Sequence, residues 1–138
     1  MNNDCPFCKV LIEDQQHQII ERGQYVTAIF KPYKSVNVNI LIISNEHIIN
    51  HKTATVEQST NIMSETISLT KKLFPDIDWS MKNNNGSKSD QTVFHLHTHI
   101  YSQEKWPKDS RWNSIILEDV PAKSYHNKSN RRNWDKKY

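Results

Sequence analysis

Three imidazoles spaced two residues apart, His95, His97 and His99, lie in the run Val93-Phe94-His95-Leu96-His97-Thr98-His99-Ile100-Tyr101. Near neutral pH an imidazole is partly unprotonated, so it can act as nucleophile, proton carrier or metal ligand. An ordinary core has no use for three at that spacing. Val93, Phe94, Ile100 and Tyr101 are β-formers, and in a strand residues two apart share a face. The run therefore predicts a strand on which the three histidines align at roughly 7 Å intervals, while Leu96, Thr98 and Ile100 point to the other side. On a helix the same spacing would splay the rings around the axis.

A second chemical feature is Cys5-Pro6-Phe7-Cys8. Two thiols separated by two residues can chelate one tetrahedral metal ion, form a redox pair, or cap an N-terminal turn without any ligand. The dithiol of glutaredoxin-like proteins follows a strand, whereas four residues precede Cys5 here, which counts against redox. His47 follows the apolar run Ile40-Leu41-Ile42-Ile43 at a strand exit, a common place for a functional side chain. Taken alone it reads as an ordinary surface or core histidine.

The elements that position these groups can be read from periodicity. With 138 residues the chain suits one domain whose core needs no disulfide. Hydrophobic residues make up 36% and charged ones 24%, so the core must come from a few well-patterned segments. Gln18–Glu21 and Tyr25–Phe30 flank Arg22-Gly23-Gln24, and a glycine with positive φ would suit a tight hairpin there. Val36 to Ile43 alternates and then becomes continuously apolar, the pattern of a central strand covered on both faces. Thr55-Val56-Glu57-Gln58 matches a helix capping box. From there Val56, Met63, Ile67 and Phe74, with Ile62, Leu69 and Leu73, recur at helical spacing until Pro75. Ile77 to Lys82 predicts a short strand, and Asn83-Asn84-Asn85-Gly86 a turn into the histidine strand, with which it should pair as a hairpin.

Charge is unevenly placed. From Gln103 onward there are nine Lys/Arg against five Asp/Glu, so of the formal +3 the first 102 residues carry −1. That argues against a domain-wide basic groove for nucleic acid. No apolar run approaches the roughly 20 residues that span a bilayer, and Met1-Asn2-Asn3-Asp4 lacks a signal region. A cytoplasmic protein with no membrane partner is expected. Trp106-Pro107-Lys108-Asp109 and Arg111-Trp112 form an aromatic, basic segment able to fold over the site, and the stretch from Ala122 to the end reads as a solvated tail. Its basic and aromatic residues would also permit stacking on single-stranded RNA.

His-Leu-His-Thr-His-Ile-Tyr resembles the histidine-triad (HIT) signature, in which histidine and apolar residues alternate. An Asn-rich turn with Gly, then Gln91-Thr92-Val93-Phe94 before the triad, and Ile40 to His47, resemble that family's loop and its strand followed by a histidine. Cys5 and Cys8 are similar to the pair in its zinc-bearing branch, which includes the bacterial HIT hydrolases and the galactose-1-phosphate uridylyltransferase-like proteins. The resemblance covers roughly Cys5 to Tyr101. It implies an α+β fold with an antiparallel sheet of about five strands, one main helix and an N-terminal zinc knot. On this division residues 1–105 form the HIT-like domain and 106–138 a C-terminal extension.

By the same resemblance Cys5, Cys8, His47 and His95 hold a structural zinc ion, and His97 is the nucleophile. His99 assists with the phosphate and proton transfer, and Asn84, Gln91 and Thr92 supply phosphate contacts. The implied reaction is attack at the α-phosphate of a small-molecule nucleotide, a nucleoside phosphoramidate or dinucleoside polyphosphate. It gives a nucleotidyl-histidine that is hydrolysed or transferred, in a homodimer. Lys31 stands where the family commonly has an acidic residue for the ribose hydroxyls, and a lysine cannot accept those hydrogen bonds. It can instead attract a phosphate or other anion. Asp90 replaces the glycine that usually precedes Gln91. Two other readings remain at this point: a zinc-dependent hydrolase with triad histidines as catalytic metal ligands, and a zinc-stabilised binding module for a nucleotide, an anion or a nucleic-acid end.

Overall fold

The computed structural model describes residues 4–31, 35–113 and 115. In chain order the elements are helix α1 (Pro6–Ile12), strands β1 (Ile19–Arg22), β2 (Val26–Phe30) and β3 (Asn37–Ser44), helix α2 (Val56–Leu73), and strands β4 (Ser80–Asn83) and β5 (His97–Lys105). The five strands form one sheet in the order β1-β2-β3-β5-β4, and every neighbouring pair is antiparallel. The α+β architecture expected from the sequence is the one found.

β3 is central because it can be buried on both sides. Val38, Ile40 and Ile42 face α2 with Leu96 and Ile100, while Leu41 and Ile43 face α1 with Ile29 and Val93. A sheet covered on both faces needs continuous apolar sequence in its middle strand, and Ile40 to Ile43 provides it. The β4–β5 hairpin forms as expected, with Lys82 opposite His99 and Ser80 opposite Tyr101.

The capping box at the start of α2 is complete: Thr55 Oγ1 accepts from the Gln58 N–H at 3.0 Å and Gln58 Oε1 from the Thr55 N–H at 2.8 Å. Its buried stripe differs from the expected one. Ile62, Thr66, Leu69, Thr70 and Leu73 face the sheet, whereas Val56 is 84% and Ile67 42% exposed. Two threonines can occupy the inner face because their hydroxyls donate to the carbonyls of Ile62 and Thr66, each at 2.7 Å. Hydrophobicity alone therefore finds Ile62, Leu69, Leu73 and Phe74 but adds the exposed Val56 and Ile67 and misses the two threonines.

Gly23 also serves a different purpose from the one expected. It does not have positive φ; a Cβ there would meet Glu65 Oε1 at 2.4 Å. The Glu65 carboxylate reaches from α2 to accept from the N–H groups of Gln24, Tyr25 and Val26 at 3.1, 2.6 and 2.8 Å. The hairpin between β1 and β2 is thus capped from the helix.

Trp106 and Trp112 lie in the core on the α2 side, with Phe30 and Phe74, and Phe74 stacks on Trp112. They are on the opposite side of the sheet from the histidine face they were expected to cover. The basic tail from Ala122 lies outside the described residues. Among the described residues no helix is long and apolar enough to cross a membrane.

Candidate active site and metal centre

Cys5 is the N-cap of α1 and Pro6 its first residue, where a missing N–H costs nothing. The Cys8 N–H donates to Cys5 Sγ at 3.4 Å, so one helical turn sets both sulfurs on the same side. The turn after β3 is equally constrained. Asn45 Nδ2 donates to the Gly23 carbonyl at 2.9 Å, Asn45 Oδ1 accepts from Thr27 at 2.7 Å, and Ser44 Oγ donates to the Glu46 carbonyl at 2.7 Å. This fixes His47, whose Nδ1 lies 3.2 Å from Cys8 Sγ and 3.2 Å from His95 Nδ1.

His95 is not on the strand. β5 begins at His97, and the preceding residues bend because the Leu96 N–H donates to the Ile48 carbonyl at 2.6 Å and the Leu96 carbonyl accepts from the Ser44 N–H at 3.0 Å. The single straight strand expected for all three histidines is therefore broken after the first. His95 turns into the cysteine cluster, with Nδ1 at 3.3 Å from Cys5 Sγ and 3.5 Å from Cys8 Sγ. Its Nε2 donates to the Ser44 carbonyl at 2.7 Å, which leaves the Nδ1 lone pair pointing at the sulfurs. A carbonyl that orients a ligating imidazole in this way is the usual outer partner of a metal ligand.

Cys5, Cys8, His47 and His95 thus present four ligand atoms, all within 4.8 Å of one another. The cluster can hold a metal ion. For the polypeptide alone, burial pushes the Cys5 thiol up to about 11 and the His95 imidazole down to about 4. A buried convergence of donor atoms is costly unless a cation compensates it, and two sulfurs with two imidazole nitrogens form a soft tetrahedral set.

His97 and His99 lie on the same face of β5, their rings 5.2 Å apart and inclined by 66°. His97 is buried, and its Nδ1 donates to the His95 carbonyl at 2.6 Å. That bond fixes the tautomer: the proton is on Nδ1 and the Nε2 lone pair is available. Burial holds the His97 pKa below the usual histidine range; the hydrogen bond to His95 opposes the shift and the charge of Lys31 adds to it. Phe7 meets the His95 ring edge-on at 5.7 Å and the His97 ring at 5.0 Å. It separates the Cys/His cluster from the pair beyond it.

The loop before β5 is braced from within. Gln91 is buried; its Nε2 donates to the Ile49 and Val93 carbonyls at 2.7 and 3.1 Å, and its Oε1 accepts from Asn50 Nδ2 and the Gly86 N–H at 3.0 and 2.9 Å. The amide's hydrogen bonds are committed to the protein. Asn84 Nδ2 donates to the Ser89 carbonyl at 2.6 Å, and Thr92 is exposed. Asp90 has φ +66°, a left-handed conformation that explains why glycine suits this position and why aspartate, which tolerates it better than most residues, can replace it.

Two supporting residues were not anticipated. Phe7 was seen only as a spacer between cysteines. Asn83 donates from Nδ2 to the His97 carbonyl at 2.9 Å and to Thr98 Oγ1 at 3.1 Å, so the edge strand clamps the peptide that carries His97. The Asn-rich run signals a turn, but nothing local distinguishes this residue from the two after it.

The HIT domain model matches residues 13–106. This chain is a member of the HIT family. At the family level, HIT proteins are nucleotide-binding hydrolases and transferases. The "Protein hit" of Bacillus subtilis (strain 168) is 28% identical over 100 residues, 70% of this chain and 69% of its own length. The structure of a HIT family hydrolase from Clostridium thermocellum aligns with TM-score 0.62 and 28% identity, over 78% of this chain and 98% of that one. A histidine triad protein from Clostridium difficile aligns with TM-score 0.63 and 22% identity, over 80% and 99%, and speaks to the fold alone. The HIT match begins after Cys5 and Cys8, so the Cys/His cluster joins a segment outside the matched span to the first histidine of the triad.

Proposed function

We propose that this HIT protein cleaves a nucleotide at its α-phosphate through a nucleotidyl-histidine on His97. The observation that carries the reading is the Nδ1 hydrogen bond to the His95 carbonyl, which supplies an imidazole in a single tautomer with a nucleophilic Nε2. In the first step Nε2 forms a bond to phosphorus and the bond to the leaving group breaks, with His99 giving the departing group a proton. In the second, water adds to phosphorus, His99 takes its proton, and the P–N bond breaks to release the nucleoside monophosphate. Transfer follows if another acceptor replaces water. Asn84, Thr92 and nearby backbone N–H groups hold the nonbridging oxygens, where fixed donors act most strongly, and Gln91 keeps their loop in shape.

The metal of the cluster is zinc in this reading, held by Cys5, Cys8, His47 and His95. It supplies structural cross-linking, since a four-ligand set of this type is closed. His95 turns away from His97 and His99 into that set, which favours this division of labour over a catalytic metal bound by the triad. A homodimer and a cytoplasmic setting accompany the reading on family resemblance alone.

The test is intact-mass analysis of rapidly quenched protein after exposure to nucleoside phosphoramidates and dinucleoside polyphosphates. A nucleotide-sized adduct on the wild type, absent from His97→Ala, is the expected result. Turnover that persists in His97→Ala would refute the mechanism.

A further inference from the structure

The pairing of β4 with β5 stops at Asn83, opposite Thr98 and one residue short of His97. Directly paired residues share a face, and Thr98 lies two residues before Ile100, which faces α2. Asn83 therefore reaches the His97 peptide from the side of the sheet away from the imidazoles. Its Nδ2 donates to the His97 carbonyl at 2.9 Å and to Thr98 Oγ1 at 3.1 Å, so a side chain continues the pairing where the strand has ended.

The amide of Asn83 is itself held. Asn85 Nδ2 donates to Asn83 Oδ1 at 2.6 Å, and the His51 N–H donates to Asn85 Oδ1 at 2.7 Å. One chain of amides thus runs in a single direction, from the His51 backbone through Asn85 and Asn83 to the His97 carbonyl. A backbone N–H can only donate and a carbonyl can only accept, so neither side-chain amide can turn over without setting two donors or two acceptors against each other. Bonds aligned in this way also strengthen one another. The far end is anchored separately: His51 Nδ1 lies 2.7 Å from Ser59 Oγ on α2, and the adjacent Asn50 donates to Gln91. Between the two chain members sits Asn84, which has its own anchor in the Ser89 carbonyl.

We propose that Asn83 and Asn85 are positioning residues for the attack by His97. The amide chain fixes the main chain of the nucleophile against the loop that carries Asn84, and so sets the distance from Nε2 to phosphorus. This deepens the reading given above and rests on it for the role of His97. Placement of a nucleophile acts on the rate of bond formation more than on affinity, because the misplaced group is felt only as the transition state is approached.

Asn83→Leu and Asn85→Leu keep the size and neutrality of each side chain and remove its hydrogen bonds. In single-turnover experiments with a nucleoside phosphoramidate, Asn83→Leu should form the His97 adduct about tenfold more slowly than the wild type, within the scale of a small misplacement. The dissociation constant of adenosine 5′-monophosphate, measured by calorimetry, should change by less than about threefold. Asn85→Leu should slow the adduct by about threefold or more, and the variant with both changes should match Asn83→Leu, since a chain already broken cannot be broken again. In nitrogen-15 spectra the His97 ring signals should move in Asn83→Leu. An adduct rate in folded Asn83→Leu equal to that of the wild type, a loss confined to nucleotide affinity, or effects of the two changes that multiply would overturn the proposal. A wild type that forms no adduct refutes the His97 mechanism instead, and the ring signals then decide the positioning alone: movement in Asn83→Leu upholds it, and unchanged signals overturn it.

Discussion

His97 is held in one tautomer by a carbonyl two residues back, beneath the ring of Phe7 and beside the charge of Lys31. The carbonyl orients the imidazole, while burial and the charge of Lys31 favour its neutral form over the bond's opposing pull, and a nucleophile needs that neutral, oriented state. Replacing His97 with Ala should lower kcat/KM by about a thousandfold or more, the scale of losing a covalent step, while the bound metal measured by atomic absorption stays unchanged. Loss of the metal in that variant would place His97 among the ligands instead. Gln91 makes a different prediction. Its four hydrogen bonds are internal, so Gln91→Ala should cost stability of about 1–3 kcal/mol, the cost of unsatisfied buried partners. Hydrogen exchange should show loss of protection in the loop from Asn84 to Thr92. An effect on KM with unchanged exchange would assign Gln91 to the ligand.

At the scale of elements, the clearest dependence is between α2 and the β1–β2 hairpin. Glu65 caps three N–H groups of that turn, and Glu65→Ala should lower unfolding free energy by about 1.5–3 kcal/mol, the range for hydrogen bonds to a charged group. Gly23→Ala should cost more in the wild type than in Glu65→Ala, since the added Cβ collides first with the carboxylate. A thermodynamic cycle from denaturant melts measures the difference, and additive costs would show that the two positions do not interact. Sequence pattern was a good guide to these elements wherever the cause was local. The capping box, the apolar run of β3 and the β4–β5 turn each follow from a few adjacent residues. It failed where a distant group decided the matter: Glu65 for Gly23, the hydroxyl bonds that admit Thr66 and Thr70 to the core, and the contacts with Ile48 and Ser44 that bend His95 off the strand. Residue type and spacing brought Cys5, Cys8 and His95 to attention, His47 joined them only through the family resemblance, and their convergence depends on three elements that no local pattern relates.

In the whole molecule the sheet separates two cores of different character. The α2 side is a large apolar layer closed by Trp106 and Trp112; the α1 side is small and includes the cysteines. A seven-residue helix is too short to be stable unaided, so its place on the sheet depends on tertiary contacts, the cluster together with the packing of Phe7, Val10 and Leu11. Chelation with a strong zinc chelator, or Cys8→Ala, should lower the unfolding midpoint by about 10 °C or more and expose α1 to limited proteolysis while β3 and α2 remain resistant. A midpoint unmoved by complete metal removal would show that packing of Phe7 and Leu11 suffices. The same cluster has a consequence for biosynthesis. Cys5 and His95 are 90 residues apart in the chain, so the dithiol leaves the ribosome long before its last partner exists. At about 5–20 residues per second the open thiols wait for roughly 5–20 s in each round of synthesis. During that interval they are a two-coordinate soft site, better suited to Cu(I) than to zinc. Selection among metals by the full four-ligand set can therefore begin only once His95 has been made and has joined the cluster.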